Sequence, residues 1–127
     1  MVLNYTRLYK NGPHQLKMEF KLKNDSYRAA RGGEAHLLDI SCSRCSTQVL
    51  KYQKDGRGNL MRCYLNRILH PENLERLQHL FTPHNYKQLP NLTCPQCKEV
   101  IGTPMIYSDG RVAYRLQHGK FAKKRVF

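Results

Sequence analysis

The sequence lacks tryptophan and has few acidic residues. Its 127 residues include 22 Lys and Arg against 9 Asp and Glu, so the formal charge is +13. Such an imbalance excludes a neutral surface and favours polyanions or an acidic partner. Because only 40% of the residues are hydrophobic and the mean hydropathy is -0.68, we expect a thin core that needs further support.

Long apolar runs are also missing. No stretch approaches the ~18 apolar residues of a membrane span, and the first residues, "MVLNYTRLYKNGPH", contain no apolar signal-peptide core. We therefore expect no secretion signal, no membrane partner and a cytoplasmic location, or a nuclear one in a eukaryote. In these reducing compartments, paired cysteines bind metal more often than they form disulfides.

Four of the five cysteines form two pairs of identical spacing. Cys42 and Cys45 enclose Ser-Arg, and Cys94 and Cys97 enclose Pro-Gln. Each pair spans one tight turn that aims two sulfurs at one point, and four thiolates complete the tetrahedral shell of Zn²⁺. The pattern predicts one structural zinc ion with no open position for substrate, so we expect no catalysis there. Bound iron and a thioredoxin-like redox couple are the alternatives.

Cys63 has no partner at this spacing. Within a strand, Met61, Cys63 and Leu65 would share one face, which predicts that Cys63 packs in the core. Two alternatives are a reactive thiol activated by Arg62, which would make the chain a thiol enzyme, and a replacement zinc ligand. We assign no catalytic residue.

Two segments of the chain have the same order of sequence features. Residues 42–65 and 94–116 each run through a cysteine pair, a short apolar strand, an Asp-Gly-Arg turn and a return strand. Asp-Gly favours tight hairpins because glycine readily adopts positive φ. The fold class is therefore predicted as mainly β, a small α+β protein with two zinc-knuckle β-hairpins tied by one zinc.

A helix is predicted between these segments. In "HPENLERLQHLF", residues 70–81, Leu74, Leu77 and Phe81 recur at spacings of three and four, with Leu80 on the same side. Pro71 and the glutamates after it suit the first turn. We expect one amphipathic helix of about three turns.

The N-terminal part predicts β-strands and a loop. Alternation of apolar and polar residues over Leu16–Leu22 indicates a half-buried strand, which a turn at Asn11–Pro13 joins to an earlier strand around Tyr5–Tyr9. The polar stretch that follows predicts a mobile basic loop. We expect residues 1–35 to form a basic N-terminal β segment and loop, and residues 36–127 a zinc-binding β domain with a basic C-terminal end, together one compact unit.

A basic surface is predicted to contact nucleic acid, either RNA or DNA, because residues 111–127 contain no acid. Lys and Arg would bind phosphates and Tyr would stack on bases. The alternative is an adaptor that docks on an acidic protein. The candidate residues are Arg62, Tyr64, Arg67, Arg111, Tyr114, Arg115, Lys120, Lys123, Lys124 and Arg125. We expect deletion of residues 120–127 to spare folding; the alternative is that Phe121 and Val126 form a last strand or cover the core, so that the deletion lowers the melting temperature.

The cysteine spacing and hairpin placement over residues 42 to about 116 resemble zinc ribbons. They resemble more closely the β-tent zinc domains, which include Yippee proteins, the cereblon ligand-binding domain and B-type methionine sulfoxide reductases. The resemblance implies two small antiparallel sheets that meet at an angle and share one zinc. The chain has no cysteine after Cys97, where the reductases carry their catalytic one, and no tryptophan for a cereblon-type cage. We therefore expect neither of these activities.

Overall fold

The computed structural model describes residues 2–10 and 16–127, and it confirms a mainly β protein with a few short helices. The strands are β1 (Val2–Lys10), β2 (Leu16–Lys21), β3 (Ala35–Cys42), β4 (Gln48–Asp55), β5 (Arg62–Tyr64), β6 (Ile68–His70), β7 (Leu92–Thr93), β8 (Val100–Ile106), β9 (Val112–Leu116) and β10 (Phe121–Arg125). The helices are α1 (Ser26–Ala30), α2 (Glu72–Glu75) and α3 (Leu77–Leu80). None of these helices is long and apolar enough to cross a membrane.

The strands form three antiparallel sheets. β1 and β2 form a hairpin, a first four-stranded sheet has the order β10-β3-β4-β6, and a second has the order β5-β9-β8-β7. Ile40 and Leu50 of the first sheet share one buried cluster with Ile101 and Tyr114 of the second. The main core therefore contains residues from both four-stranded sheets.

The N-terminal hairpin agrees with the predicted strand pair. β1 runs antiparallel to β2, with Val2 opposite Lys21; the predicted turn at Asn11–Pro13 lies outside the described residues. Phe20 packs with Leu37 and Leu69 in a second, smaller cluster. Because Leu37 alternates along β3 with the residues of the main core, this segment covers the opposite face of the first sheet.

The polar stretch after β2 was predicted as a mobile loop, but it contains α1. The helix begins after Asp25, whose side chain accepts a hydrogen bond of 3.1 Å from the backbone N–H of Arg28. An aspartate in this position satisfies an N–H group that has no partner inside the helix. The first turn is therefore fixed by a local cap.

One of the two predicted hairpins forms and the other does not. β8 and β9 pair across the turn that contains Gly110, whose φ is 89°. β4 instead pairs with β3 and β6, while β5 pairs with β9 in the second sheet. The prediction for residues 42–65 is wrong because a strand has only two edges, and both edges of β4 are occupied.

The predicted single helix is divided into α2 and α3 at Arg76. The N–H of Arg76 donates to Glu72 O, but the N–H of His79 donates only three residues back, to Arg76 O. A bond to the third residue back is the pattern of a tighter 3₁₀ turn, and it interrupts the α-helical bonds at this point. Leu74 and Leu77 pack against the core as predicted, whereas Leu80 is 61% exposed.

The C-terminal residues form a strand at the edge of the first sheet. Phe121 lies opposite Cys42 and packs against the core. Beyond β10, the backbone of Leu37 bonds to Phe127 O at 2.7 Å and to the N–H of Val126 at 2.8 Å. The structure therefore has the last strand that was the alternative to a dispensable tail, and the backbone of these residues is part of the sheet.

Candidate metal centre and basic surface

The first cysteine pair lies in the turn between β3 and β4, residues 42–47, here called knuckle 1. The N–H of Cys42 donates to Thr47 O at 2.9 Å, and the N–H of Ser46 donates back to Cys42 O at 2.8 Å. Ser46 has φ of 64°, in the left-handed region. These bonds close the turn and place Cys42 and Cys45 on the same small loop.

The second pair lies between β7 and β8, residues 94–99, here called knuckle 2, and it repeats this geometry. The N–H of Cys94 donates to Glu99 O at 2.9 Å, and the N–H of Lys98 donates to Cys94 O at 3.0 Å. Lys98 has φ of 66°. The two segments therefore share the same turn geometry, although the strands after the turns pair differently.

The two turns bring four sulfur atoms together. The Sγ atoms of Cys42 and Cys97 lie 3.6 Å apart, and those of Cys45 and Cys94 lie 3.5 Å apart. All four lie within 4.8 Å of one another. Sulfurs around one tetrahedral Zn²⁺ at ~2.3 Å would be about 3.8 Å apart. The four cysteines are thus positioned to hold one metal ion, and both their number and their spacing fit zinc.

Hydrogen bonds favour the thiolate form of Cys45 and Cys94. At Cys97 the backbone N–H of Glu99 lowers the pKa, but burial and the neighbouring thiols outweigh it and raise the pKa to about 11. The Thr47 hydroxyl lies 3.2 Å from Cys45 Sγ, and it lowers the pKa of Cys45 to about 6. Burial raises the pKa of Cys94, but donation from backbone N–H groups, including that of Cys97 at 3.5 Å, outweighs burial and lowers it. Metal ligation requires the deprotonated form, so these contacts assist binding.

Glu99 connects the two knuckles through ion pairs. Its Oε2 accepts a hydrogen bond from Arg44 of knuckle 1 at 3.1 Å, and its Oε1 lies 2.9 Å from Lys120 Nζ. Glu99, and after it the thiolates of Cys97 and Cys42, raise the pKa of Arg44. Arg44 therefore lies between the two cysteines of knuckle 1, and its first partner is a carboxylate.

Cys63 is fully buried in the main core, which confirms the prediction. Burial raises the pKa of its thiol, and the four-sulfur cluster is complete without it. Both the reactive thiol and the replacement ligand are therefore contradicted. Met61, predicted to share the buried face, is 63% exposed because it precedes the three paired residues of β5.

Arg67 was predicted to contact phosphate, but its side chain is only 1% exposed. It donates to both oxygens of Asp25, at 2.5 and 3.0 Å, and to Asp55 Oδ2 at 2.7 Å. This prediction is wrong because a buried guanidinium group needs carboxylate partners, and Asp25 before α1 and Asp55 of β4 supply them. Only the tertiary structure brings Asp25 and Asp55 to Arg67.

Tyr114 was predicted to stack on bases, and this prediction is also wrong. The residue is only 2% exposed, and its hydroxyl donates to Pro90 O at 2.8 Å. It lies on the inward face of β9 between the exposed position of Arg115 and the buried Ala113. The charged residue next to Tyr114 in the sequence could not indicate this burial, because β7, β8 and β9 meet only in the folded sheet.

Three other candidates form a half-buried stack. The guanidinium carbon of Arg62 lies 4.3 Å from the ring centre of Tyr107, and that ring meets Tyr64 edge-on at 5.6 Å. On the other side, the Arg111 guanidinium carbon lies 3.6 Å from the Tyr64 ring centre. Tyr27, which sequence reasoning did not select, covers Arg111 at 4.0 Å. The side chains of Arg111 and Tyr107 therefore contact the Tyr64 ring, which was predicted to stack on bases.

The remaining basic candidates are exposed. They lie on β9, on the turn that follows it and on the edge strand β10. These residues are Arg115, Lys120, Lys123, Lys124 and Arg125. Lys120 is already paired with Glu99, so the residues of β10 offer the denser group of cations.

Comparison of the chain with protein-family models, with curated proteins and with solved structures gives no match. The resemblance to zinc ribbons and β-tent domains therefore remains a prediction from cysteine spacing. What is established is a mainly β fold and four cysteines placed to hold one metal ion.

Proposed function

We propose that the protein is a zinc-stabilised basic module that contacts nucleic acid. The observation that carries the nucleic-acid part is the exposed edge strand β10, where Lys123, Lys124 and Arg125 follow one another. The segment 111–127, which contains them, has no acidic residue. Such a row attracts phosphates at any base sequence.

The metal has a structural role in this proposal. Knuckle 1 belongs to the first four-stranded sheet and knuckle 2 to the second, so a shared ion ties the two sheets together at one end. Four protein sulfurs leave zinc no position for water or substrate. The ion therefore stabilises the fold that presents the cations.

A binding experiment tests the nucleic-acid role. Fluorescence anisotropy with a labelled single-stranded RNA and a DNA of the same sequence, at several salt concentrations, gives both affinity and salt slope. Changing both Lys123 and Lys124 to Gln should weaken binding and reduce the slope by roughly 0.7–0.9 for each phosphate that the protein no longer neutralises. A control with the same charge change replaces the exposed Arg76 and Lys87.

Two results would contradict the proposal. Equal losses of affinity in the two double variants would show that net charge alone attracts the strand, with no role for β10. An absence of binding to either nucleic acid would leave the adaptor that docks on an acidic protein surface. Such an adaptor would retain its partner at moderate salt through apolar contacts at the centre of the interface.

A further inference from the structure

A small cleft opens at the end of β4, far along the strand from knuckle 1. Lys54 pairs with His36 at the beginning of β3, whereas Cys42 ends that strand. The cleft has a volume of about 70 Å³, several times the ~10–15 Å³ of cavity volume that one water molecule needs. It therefore has room for one small group. Four cations line it, here called the basic cleft: Arg31, Lys54, Arg62 and Arg111.

Asp55 is the acidic residue in the lining, and both of its oxygens already accept hydrogen bonds. Its Oδ2 accepts a hydrogen bond from Arg67 at 2.7 Å, and its Oδ1 accepts one from Gln53 at 2.9 Å. The Asp55 side chain is 8% exposed. This carboxylate therefore belongs to the buried network of Arg67, and its single negative charge offsets only part of the four positive charges of the cleft.

Three of the cleft cations have no acidic partner in the part of the chain that the structure describes. Among the side chains that the structure describes, those of residues 20–127, no carboxylate lies within ion-pair distance of Arg31, Lys54 or Arg62. Burial and then the charges of Arg31 and Lys123 lower the pKa of Lys54. Burial is the larger cause, and the two neighbouring cations add a positive potential at Lys54.

Arg111 is held in place before any ligand arrives. Its guanidinium carbon lies between the rings of Tyr27 and Tyr64, at 4.0 and 3.6 Å from their centres. Its Nε donates to Asp109 at 2.9 Å, while its Nη1 is buried with no hydrogen-bond partner. A fixed donor with unused capacity lowers the entropy cost of binding an anion.

We propose that the basic cleft binds one phosphate group, supplied by free inorganic phosphate or by a terminal phosphate on a larger molecule. Guanidinium groups match the oxygens of a tetrahedral phosphate in pairs, and a doubly charged ion gains more from four cations than a carboxylate does. Free phosphate satisfies this chemistry alone. The proposal therefore goes beyond the nucleic-acid role and does not require it.

A titration with inorganic phosphate at constant ionic strength, followed by NMR, tests the site in the full metal-loaded chain. Phosphate should shift the Nε–H signals of Arg62 and Arg111 and raise the pKa of Lys54, with sulfate as the competing anion. Lys54→Gln and Arg62→Gln should each weaken binding about tenfold or more, because each removes a charge-assisted hydrogen bond. The control Lys124→Gln should bind normally, and thermal melts verify folding.

Two oligonucleotides distinguish the sources. If a 5′-phosphorylated strand displaces inorganic phosphate better than the same strand without it, the group comes from a terminal phosphate; equal displacement indicates free phosphate. An absence of phosphate binding overturns the proposal. So does weakened binding in Asn66→Ala with normal binding in Lys54→Gln, because Arg111 also borders a second cavity where Asn66 Oδ1 has no partner.

Discussion

The two ends of the β3–β4 pair each gather groups of one kind, thiols at one end and cations at the other. At one end, four cysteine sulfurs lie within 4.8 Å of one another. At the other end, the four cations of the basic cleft line one cavity. Deprotonated thiols repel one another as the cations do, so each cluster favours a bound ion of opposite charge.

The two clusters relieve this repulsion differently. Thiols can take up protons, and the cluster contains one whose pKa is about 6 and another whose pKa is about 11. Guanidinium groups do not lose their protons in proteins. The cleft therefore covers Arg62 and Arg111 with tyrosine rings, and the chain buries Arg67 only between two aspartates. Cations can gather in this fold where a ring, a carboxylate or solvent lies beside them.

The largest effect is expected at the metal end. Cys42→Ser and Cys97→Ser should each lose the metal and unfold, because structural zinc contributes about 10–16 kcal/mol in small zinc-binding peptides and whole domains are stable by only about 5–15 kcal/mol. Cys63→Ala should keep the metal. Metal analysis with circular dichroism should show one zinc per chain in the parent protein. A metal-free but folded Cys42→Ser protein would remove the structural role.

At the cleft end, Arg67→Met should lower the free energy of unfolding by about 3–5 kcal/mol, because it leaves two carboxylates without their buried partner. Urea titration measures this. Arg76→Met is the matched control, since its pair with Glu72 lies on the surface and such pairs contribute about 0.3–0.5 kcal/mol. Equal destabilisation of the two variants would show that the buried network stabilises the fold no more than a surface ion pair does.

Deletion of residues 121–127 tests whether the edge strand supports knuckle 1. We expect the free energy of unfolding to fall by roughly 2 kcal/mol, because several backbone hydrogen bonds to β3 and the packing of Phe121 against the core disappear together. A denaturant titration of the metal-loaded protein measures the change. An unchanged midpoint would restore the interpretation of this segment as a dispensable arm.

The smallest effect is expected from the left-handed residues of the knuckles. Ser46→Gly and Lys98→Gly should each raise the free energy of unfolding by roughly 1 kcal/mol or less, because glycine adopts φ near 65° without a Cβ clash. Ser43→Gly is the control, since its hydroxyl donates to Gly119 O at 2.7 Å and removing it should destabilise the fold. If the change in melting temperature differs between Ser46→Gly and Lys98→Gly, the two knuckles have the same geometry but do not contribute equally to stability.

The patterns that proved reliable depend on neighbours in the chain. The spacing of Cys42, Cys45, Cys94 and Cys97 identified the four grouped sulfurs, because each pair needs only one tight turn to aim its thiols. The β8–β9 hairpin follows from a local Asp-Gly turn, and the β1–β2 pair agrees with local alternation. The alternation of residues along the strand also correctly predicted that Cys63 is buried in the core.

Other features required contacts between distant residues. The chain itself specified the four cysteines that group together, the turn of the β8–β9 hairpin and an excess of positive charge. Tertiary packing decided that β4 pairs with β6 and not with β5, that Arg67 and Tyr114 are buried, and that β10 pairs with β3. A strand's free edge and a long side chain's burial depend on which partners arrive from elsewhere, and no local pattern contains that information.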